Sequence, residues 1–318
     1  RRIVTVIEKS LPRQQAGLLN GMLIGYREGL SEEVQRAFSD AGLTHIMAVS
    51  GANVAFLIMP LAFLFKSIHL RKKYANPIII AFLIMFVFVT GFEPSVLRAV
   101  IMASILLISA VIYREPDTYS AIAVSCIILV AVNPYMLFNI GFQLSYAATL
   151  SIVMLSKNLK KMLTSARIPE IIADVLVVTL AAQIGVLPIT LFYFNRLSLI
   201  SIVPNILAGP VLELITVIGA MMALLGQISL ILSKLLGYLN NIFLSFVLFI
   251  TRISSDVSFA AITTVTPSPV FSAIYYTAVW FFLWYMPLKQ IRLKQKHIAA
   301  GLSALAVLIL VGSITPGK

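Results

Sequence analysis

From residue 43 to residue 314 the chain passes through ten apolar stretches: 43–65, 77–92, 96–113, 119–133, 138–156, 171–194, 199–226, 230–251, 270–287 and 298–314. A helix needs about 20 apolar residues to cross a bilayer, and fewer where neighbouring protein buries part of it. A soluble core does not absorb so many runs in succession. Only 11% of the 318 residues are charged and 60% are hydrophobic, which leaves too little polar surface to face water. The expected fold class is therefore all-α: a polytopic integral membrane protein with about ten transmembrane helices, roughly eight to twelve. Two of the ten runs are irregular. The run at 119–133 is short and ends at Asn133-Pro134, and 199–226 carries Pro204, Asn205, Gly209 and Pro210, a pattern that predicts two half-helices.

Residues 1–42 are mixed in character and are expected to form an extracellular-side linker with interfacial amphipathic helices, ahead of a transmembrane domain over 43–318. Ser31 is a predicted N-cap, followed by Glu32 and Glu33 in the first turn and a stripe of Val34, Ala37, Phe38 and Ala41. Leu18 to Tyr26 reads as a second interfacial helix. The chain opens Arg1-Arg2 without a methionine, as expected of a piece cut from a longer protein.

The net charge of +12 points first to topology. Three clusters, Lys66/Arg71/Lys72/Lys73, Lys157/Lys160/Lys161/Arg167 and Lys289/Arg292/Lys294/Lys296, hold half of the 24 basic residues. Alternating spans put all three on one side, the cytoplasm by the positive-inside rule, and leave Arg98, Arg196 and Arg252 on the other. Both termini then lie outside. Trp284 and Tyr285 fall where an interfacial aromatic belt is expected.

Several chemistries find no support in the sequence. Cys126 stands alone in an apolar run, so no disulfide forms within the chain. His45, His69 and His297 are dispersed, with no metal-ligand spacing. There is no phosphate-binding GxxxxGK[ST] loop and no loop with paired carboxylates. No enzyme activity, metal or cofactor is expected.

The informative residues are the polar ones inside apolar runs, because burying each in a membrane costs at least a few kcal/mol. Ser50-Gly51-Ala52-Asn53 interrupts the first run. Asn139, Gln143 and Tyr146 form a row in the fifth, Gln183 and Pro188 sit mid-way through the sixth, and Asn205, Gly209, Glu213 and Thr216 make a stripe in the seventh. Glu93, Ser95 and Arg98 flank the start of the third. Each admits a plain reading, as interhelical glue or as a Glu93–Arg98 ion pair at a span end. As a set they predict broken helices around a central polar cavity.

These residues carry a resemblance. Leu43-Thr-His-Ile-Met-Ala-Val-Ser-Gly51 followed by Asn53-Val54 resembles the opening signature of the bacterial competence membrane channel family (ComEC type). Gly91, Ser95, Arg98-Ala99 and Met102 match its next block. Asn133-Pro134 and Gly141-Phe-Gln-Leu-Ser-Tyr-Ala-Ala148 are similar to its most distinctive run, and Gln183 with Pro188 and Asn205 with Pro210 continue the order. The similarity covers roughly residues 17–285. Asn53 stands where many relatives carry histidine.

The resemblance implies a channel in the bacterial cytoplasmic (inner) membrane that passes single-stranded DNA into the cytoplasm during natural transformation. For such a strand the polar cavity would supply a path lined by Ser50, Gly51, Asn53, Gln143, Ser145, Gln183 and Asn205, with Arg98 and Arg196 as the outward positive charges and Glu93 and Glu213 in gating or ion pairs. It also implies a cytosolic ATPase or helicase motor. Two domains common in the family, an extracellular OB-type domain and a metallo-β-lactamase-like nuclease, are not expected within these 318 residues, so no nuclease activity is carried over. The alternative is a secondary transporter of a small solute that uses midplane acids such as Glu213 or Asp174. A membrane enzyme acting on lipid-linked substrates lacks a compact acid/base cluster.

Overall fold

A computed structural model describes residues 2–288, apart from 27, 116, 166–168, 199, 258–260 and 265. The described chain is almost entirely helical, and it forms two compact units. One is built from 1–146 and 198–260, the other from 147–197 and the described residues beyond 260.

The first unit begins with α1 (Arg2–Ser10), α2 (Arg13–Ile24) and α3 (Glu32–Asp40). Ser31 caps α3 as expected, its hydroxyl accepting from the N–H of Val34. α2 is not an interfacial helix: Ala16 to Met22 are buried without a break. Leu18, Leu19 and Met22 share a core with Ile215, Met222 and Leu244 of the helices α10 (Ile202–Leu225) and α11 (Leu230–Ser255). Its glycines explain the difference from the expectation. A side chain at Gly17 would stand 2.7 Å from the carbonyl of Gly29, and one at Gly21 2.9 Å from that of Met47.

A 3-10 turn at Thr44–Met47 leads to α4 (Gly51–Ser67), followed by α5 (Lys72–Val89), α6 (Pro94–Val111) and α7 (Thr118–Val132). α4, α5 and α6 enclose a second core of Val54, Leu57, Ile79, Leu83, Phe86, Val96 and Val100. Asp117 caps α7 by accepting from the N–H groups of Tyr119 and Ser120 and from the Ser120 hydroxyl. α8 (Ile140–Ser165) begins in this unit after a 3-10 turn at Pro134–Phe138.

The second unit holds the rest of α8, α9 (Glu170–Phe194) and α12 (Pro269–Leu288), with a short pair of strands, β1 (Arg196–Ser198) and β2 (Ala261–Thr263). Lys160 near the end of α8 pairs with Asp174 (2.8 Å) and Glu170 (3.2 Å) at the start of α9. These carboxylates hold the Lys160 ammonium above its ordinary pKa, Asp174 most strongly. Pro188 lies inside α9 without ending it. Proline removes the amide that would bond the carbonyl four residues back, Ile184. That carbonyl accepts instead from the Tyr275 hydroxyl of α12 at 2.9 Å, and Gly185, one residue on, accepts from Tyr276 at 2.9 Å.

Five helices are long and apolar enough to cross a membrane: Lys72–Val89, Pro94–Val111, Ile172–Phe194, Ile202–Leu225 and Leu230–Ser255. α4, α7 and Pro269–Val279 are shorter apolar helices. Their outer faces carry large bare side chains, such as Phe63, Ile127 and Ile231, the last 80% exposed. Such a surface is unstable in water and is covered by lipid in a bilayer. The protein is an all-α polytopic membrane protein.

Each of the first nine expected spans coincides with a helix, α4 to α12, but two details differ. The first helix starts at Gly51, so 43–50 stands outside it. The run 199–226 is not two half-helices: α10 is continuous through Pro204 and Pro210. The tenth span (298–314), the third basic cluster, Arg167 and His297 lie outside the described residues, as do the side chains of Trp284 and Tyr285.

Candidate functional site

In the first unit the N-terminal turns of α4, α6 and α8 meet around one arginine. Arg98 is the fifth residue of α6 and is only 8% exposed. Its Nε donates to the Ser145 hydroxyl of α8 at 2.6 Å, and Ser145 lies 3.2 Å from the Ser95 hydroxyl. Its Nη1 donates to the sulfur of Met102 at 3.3 Å, a weak acceptor. The guanidinium lies 5.7 Å from the centre of the Tyr146 ring, a cation–π distance. The Tyr146 hydroxyl is 2.9 Å from that of Ser125 in α7. These partners are all neutral. Among the described residues no carboxylate reaches Arg98 within 4 Å, so the expected Glu93–Arg98 ion pair does not form. Glu93 is the N-cap residue of α6, and its side chain makes no capping hydrogen bond.

Gly51 is the contact between α4 and this arginine. A Cβ there would stand 2.7 Å from Arg98 Nη2 and 3.3 Å from the Ala99 methyl. The Ser50-Gly51-Ala52-Asn53 knot is thus a helix start rather than a break within a helix. Ser50 is the backbone N-cap of α4, but its hydroxyl does not accept from the first turn. It donates to Asn53 Oδ1 at 3.1 Å, while Asn53 Nδ2 donates to the carbonyl of Met22 in α2 at 2.6 Å. Asn53 is buried, and its amide binds α4 to α2.

The other expected path residues are placed separately. Asn139 caps α8, accepting from the N–H of Phe142, and Gln143 Nε2 donates to the carbonyl of Leu137 at 2.8 Å. The row Asn139, Gln143, Tyr146 therefore does three different jobs. Asn205 Nδ2 donates back to the carbonyl of Ser201, the N-cap residue of α10, at 2.7 Å. Glu213 is half-buried at the middle of α10, with no ion-pair partner among the described residues. Gln183 of α9 and Arg196 of β1 belong to the second unit. The structure brings together Ser50, Gly51, Asn53, Arg98 and Ser145, and adds Ser95, Met102, Ser125 and Tyr146. Nothing in its own apolar run marks out Ser125. Its hydroxyl donates to the Ile122 carbonyl, as in an ordinary membrane helix, and only the fold adds Tyr146.

No group of three or more metal-ligating side chains exists among the described residues. A cleft of about 570 Å³ lined by Glu32, Glu33, Arg36, Asp40, Arg252 and Asp256 holds none of the expected path residues.

The profile of the family described as competence protein matches residues 22–289. The chain is 28% identical over 311 residues to ComE operon protein 3 of Bacillus subtilis (strain 168), an overlap of 98% of this chain and 39% of that protein. It is 24% identical over 234 residues to the uncharacterized protein YcaI of Escherichia coli (strain K12), covering 70% of this chain and 31% of that one. The chain thus spans less than half the length of these curated relatives. No solved structure matches it.

Proposed function

We propose, because this chain belongs to the competence protein family, that it is the membrane-embedded part of a DNA-uptake machine and passes one DNA strand into the cytoplasm. The observation that carries this reading is Arg98: a buried arginine in a membrane-length helix, with neutral partners and no counter-ion among the described residues. A single strand carries about one negative charge per nucleotide and cannot enter hydrocarbon unaided. It needs isolated positive charge to draw phosphates in, yet too little of it to hold them. One unpaired arginine among serines meets that requirement.

On this reading Ser145, Ser95 and Gly51 shape the arginine's seat, and Asn53 holds α4 in position. Gln143, Gln183 and Asn205 remain in the proposed path on the family resemblance, and Arg196 as an outward positive charge. The proposed location is the bacterial cytoplasmic membrane, with the N-terminal segment outside. The proposed motor is a cytosolic ATPase or helicase that pulls the strand.

The competing reading, a proton-coupled carrier of a small solute, is favoured by one observation. Glu213 stands half-buried in mid-helix with no ion-pair partner among the described residues. Transformation of a naturally competent host whose own gene is replaced by full-length variants separates the two. Arg98→Ala should abolish uptake at unchanged protein level, and Glu213→Gln should leave it intact. Wild-type uptake with Arg98→Ala, together with loss in Glu213→Gln, would reverse the ranking.

A further inference from the structure

Two positive features lie side by side at the start of α4, where a Cβ at Gly51 would stand 2.7 Å from Arg98 Nη2. One is the guanidinium of Arg98, a residue only 8% exposed, with no described carboxylate within 4 Å of its charge. Arginine has five N–H donors in a fixed fork. The structure pairs Nε and Nη1, and Nη2, beside Gly51, has no acceptor among the described residues. The other feature is the helix end itself. The N–H groups of Gly51 and Ala52 have no acceptor among the described residues, because the Ser50 hydroxyl is turned to Asn53. A helix N-terminus carries the equivalent of about half a positive charge. Two like-signed groups in contact, both with spare donors, repel each other unless an anion sits between them. Gly51 is half-buried and Ala52 exposed, so the pair is open to a ligand.

We propose that Arg98 Nη2 and the amides of Gly51 and Ala52 together form a site for a single phosphodiester. Planar guanidinium and paired amides suit a tetrahedral oxyanion with two free oxygens. The side chain missing at Gly51 is what lets backbone and guanidinium converge. Ser145 and Ser95 position the arginine and do not touch the ligand. The proposal rests on the DNA-path reading for its preferred source, a phosphodiester of the strand, but the same chemistry is found in the headgroup of an anionic phospholipid.

Gly51→Ala is the diagnostic variant. The atom its methyl displaces is the end of a flexible side chain, so the fold survives while the guanidinium is pushed off the amides. The test uses the full-length protein in zwitterionic nanodiscs, with a labelled oligothymidylate as probe and its uncharged methylphosphonate analogue as control. A second arm measures binding of inorganic phosphate by thermal shift, and a third measures phosphatidylglycerol retained through purification. Loss of one charge-assisted contact weakens binding by about tenfold to a hundredfold. Arg98→Gln and Gly51→Ala should each do so for the oligothymidylate, and Arg98→Lys should do less. The methylphosphonate should bind weakly to every variant. If the oligothymidylate binds but both variants bind it as the wild type does, the site is overturned and the DNA reading stands. If inorganic phosphate or phosphatidylglycerol binds in a manner dependent on Arg98 and Gly51 while the oligothymidylate does not, the site stands as a lipid or free-anion site and the DNA reading fails. If no probe depends on either residue, the site is overturned.

Discussion

Removing the Tyr275 hydroxyl should expose how α9 survives its internal proline. In the wild type the Ile184 carbonyl has lost its helical donor to Pro188 and is satisfied by Tyr275 at 2.9 Å. Tyr275→Phe leaves that carbonyl unpaired in a partly buried, apolar setting. An unsatisfied buried acceptor costs about 1–3 kcal/mol, whereas side-chain hydrogen bonds in membrane proteins average only about 0.6 kcal/mol in double-mutant cycles. Those averages apply where the freed group finds another partner. Here the helix offers none, so the expected cost is about 1–2 kcal/mol. Pro188→Ala restores an amide to the same carbonyl and makes the hydroxyl redundant. In that background Tyr275→Phe should cost less than about 0.5 kcal/mol, giving a coupling near 1 kcal/mol. The assay is reversible unfolding of all four variants in mixed detergent micelles, followed by circular dichroism. An equal cost of Tyr275→Phe in both backgrounds would refute the reasoning.

Three further outcomes are expected. Gly185→Ala sets a methyl 2.6 Å from the Ala147 carbonyl and 2.5 Å from the Ser151 Cβ, where backbone cannot yield. It should destabilise the second unit by about 1–3 kcal/mol in the same unfolding assay. Ser31→Ala removes the α3 cap and should cost about 0.5–1 kcal/mol without affecting DNA uptake, read as a midpoint shift beside a transformation count. The Asp117 carboxylate is held below its ordinary pKa of 3.8, first by the Ser120 hydroxyl and then by the backbone N–H groups of Ser120 and Tyr119. Its folded-state pKa lies below the unfolded one, so its stabilising effect is present above pH 3.8 and is lost as pH falls through the folded value. The stability gap between wild type and Asp117→Ala should therefore be full at pH 7 and close below about pH 4.

The membrane class and nearly every span were legible because hydropathy and length are one-dimensional signals. Helix boundaries were less so. The Leu43–Ser67 run looks continuous in composition, but its helix begins only at Gly51, since a 3-10 turn and an extended Ser50 precede it. Pro204 and Pro210 read as breaks, yet α10 stays whole, because tertiary packing against α2 and α11 outweighs local propensity. Arg98 was visible as an anomalous charge, but its partner was not. Proximity in sequence pointed to Glu93, whereas three helix starts folded together supply Ser145, Tyr146 and Gly51 instead. Spacing placed Asn139 and Gln143 on one stripe. Their real work is to close the ends of a turn and a helix, a role set by backbone groups that no side-chain periodicity displays. The two tyrosines that answer Pro188 lie about 90 residues away and carry no local signal beyond adjacency in an apolar run.

On the proposed function a single strand crosses this protein and meets Arg98 on the way. The most direct test is a planar bilayer holding the full-length protein, with oligonucleotides on one side, an applied voltage, and amplification of strands recovered from the other side. Single strands should be recovered with little or no duplex, and at least tenfold fewer strands with Arg98→Gln, the effect of losing one charge-assisted contact. No recovered strand, or equal passage of duplex, or passage unchanged by Arg98→Gln, would contradict the proposed function.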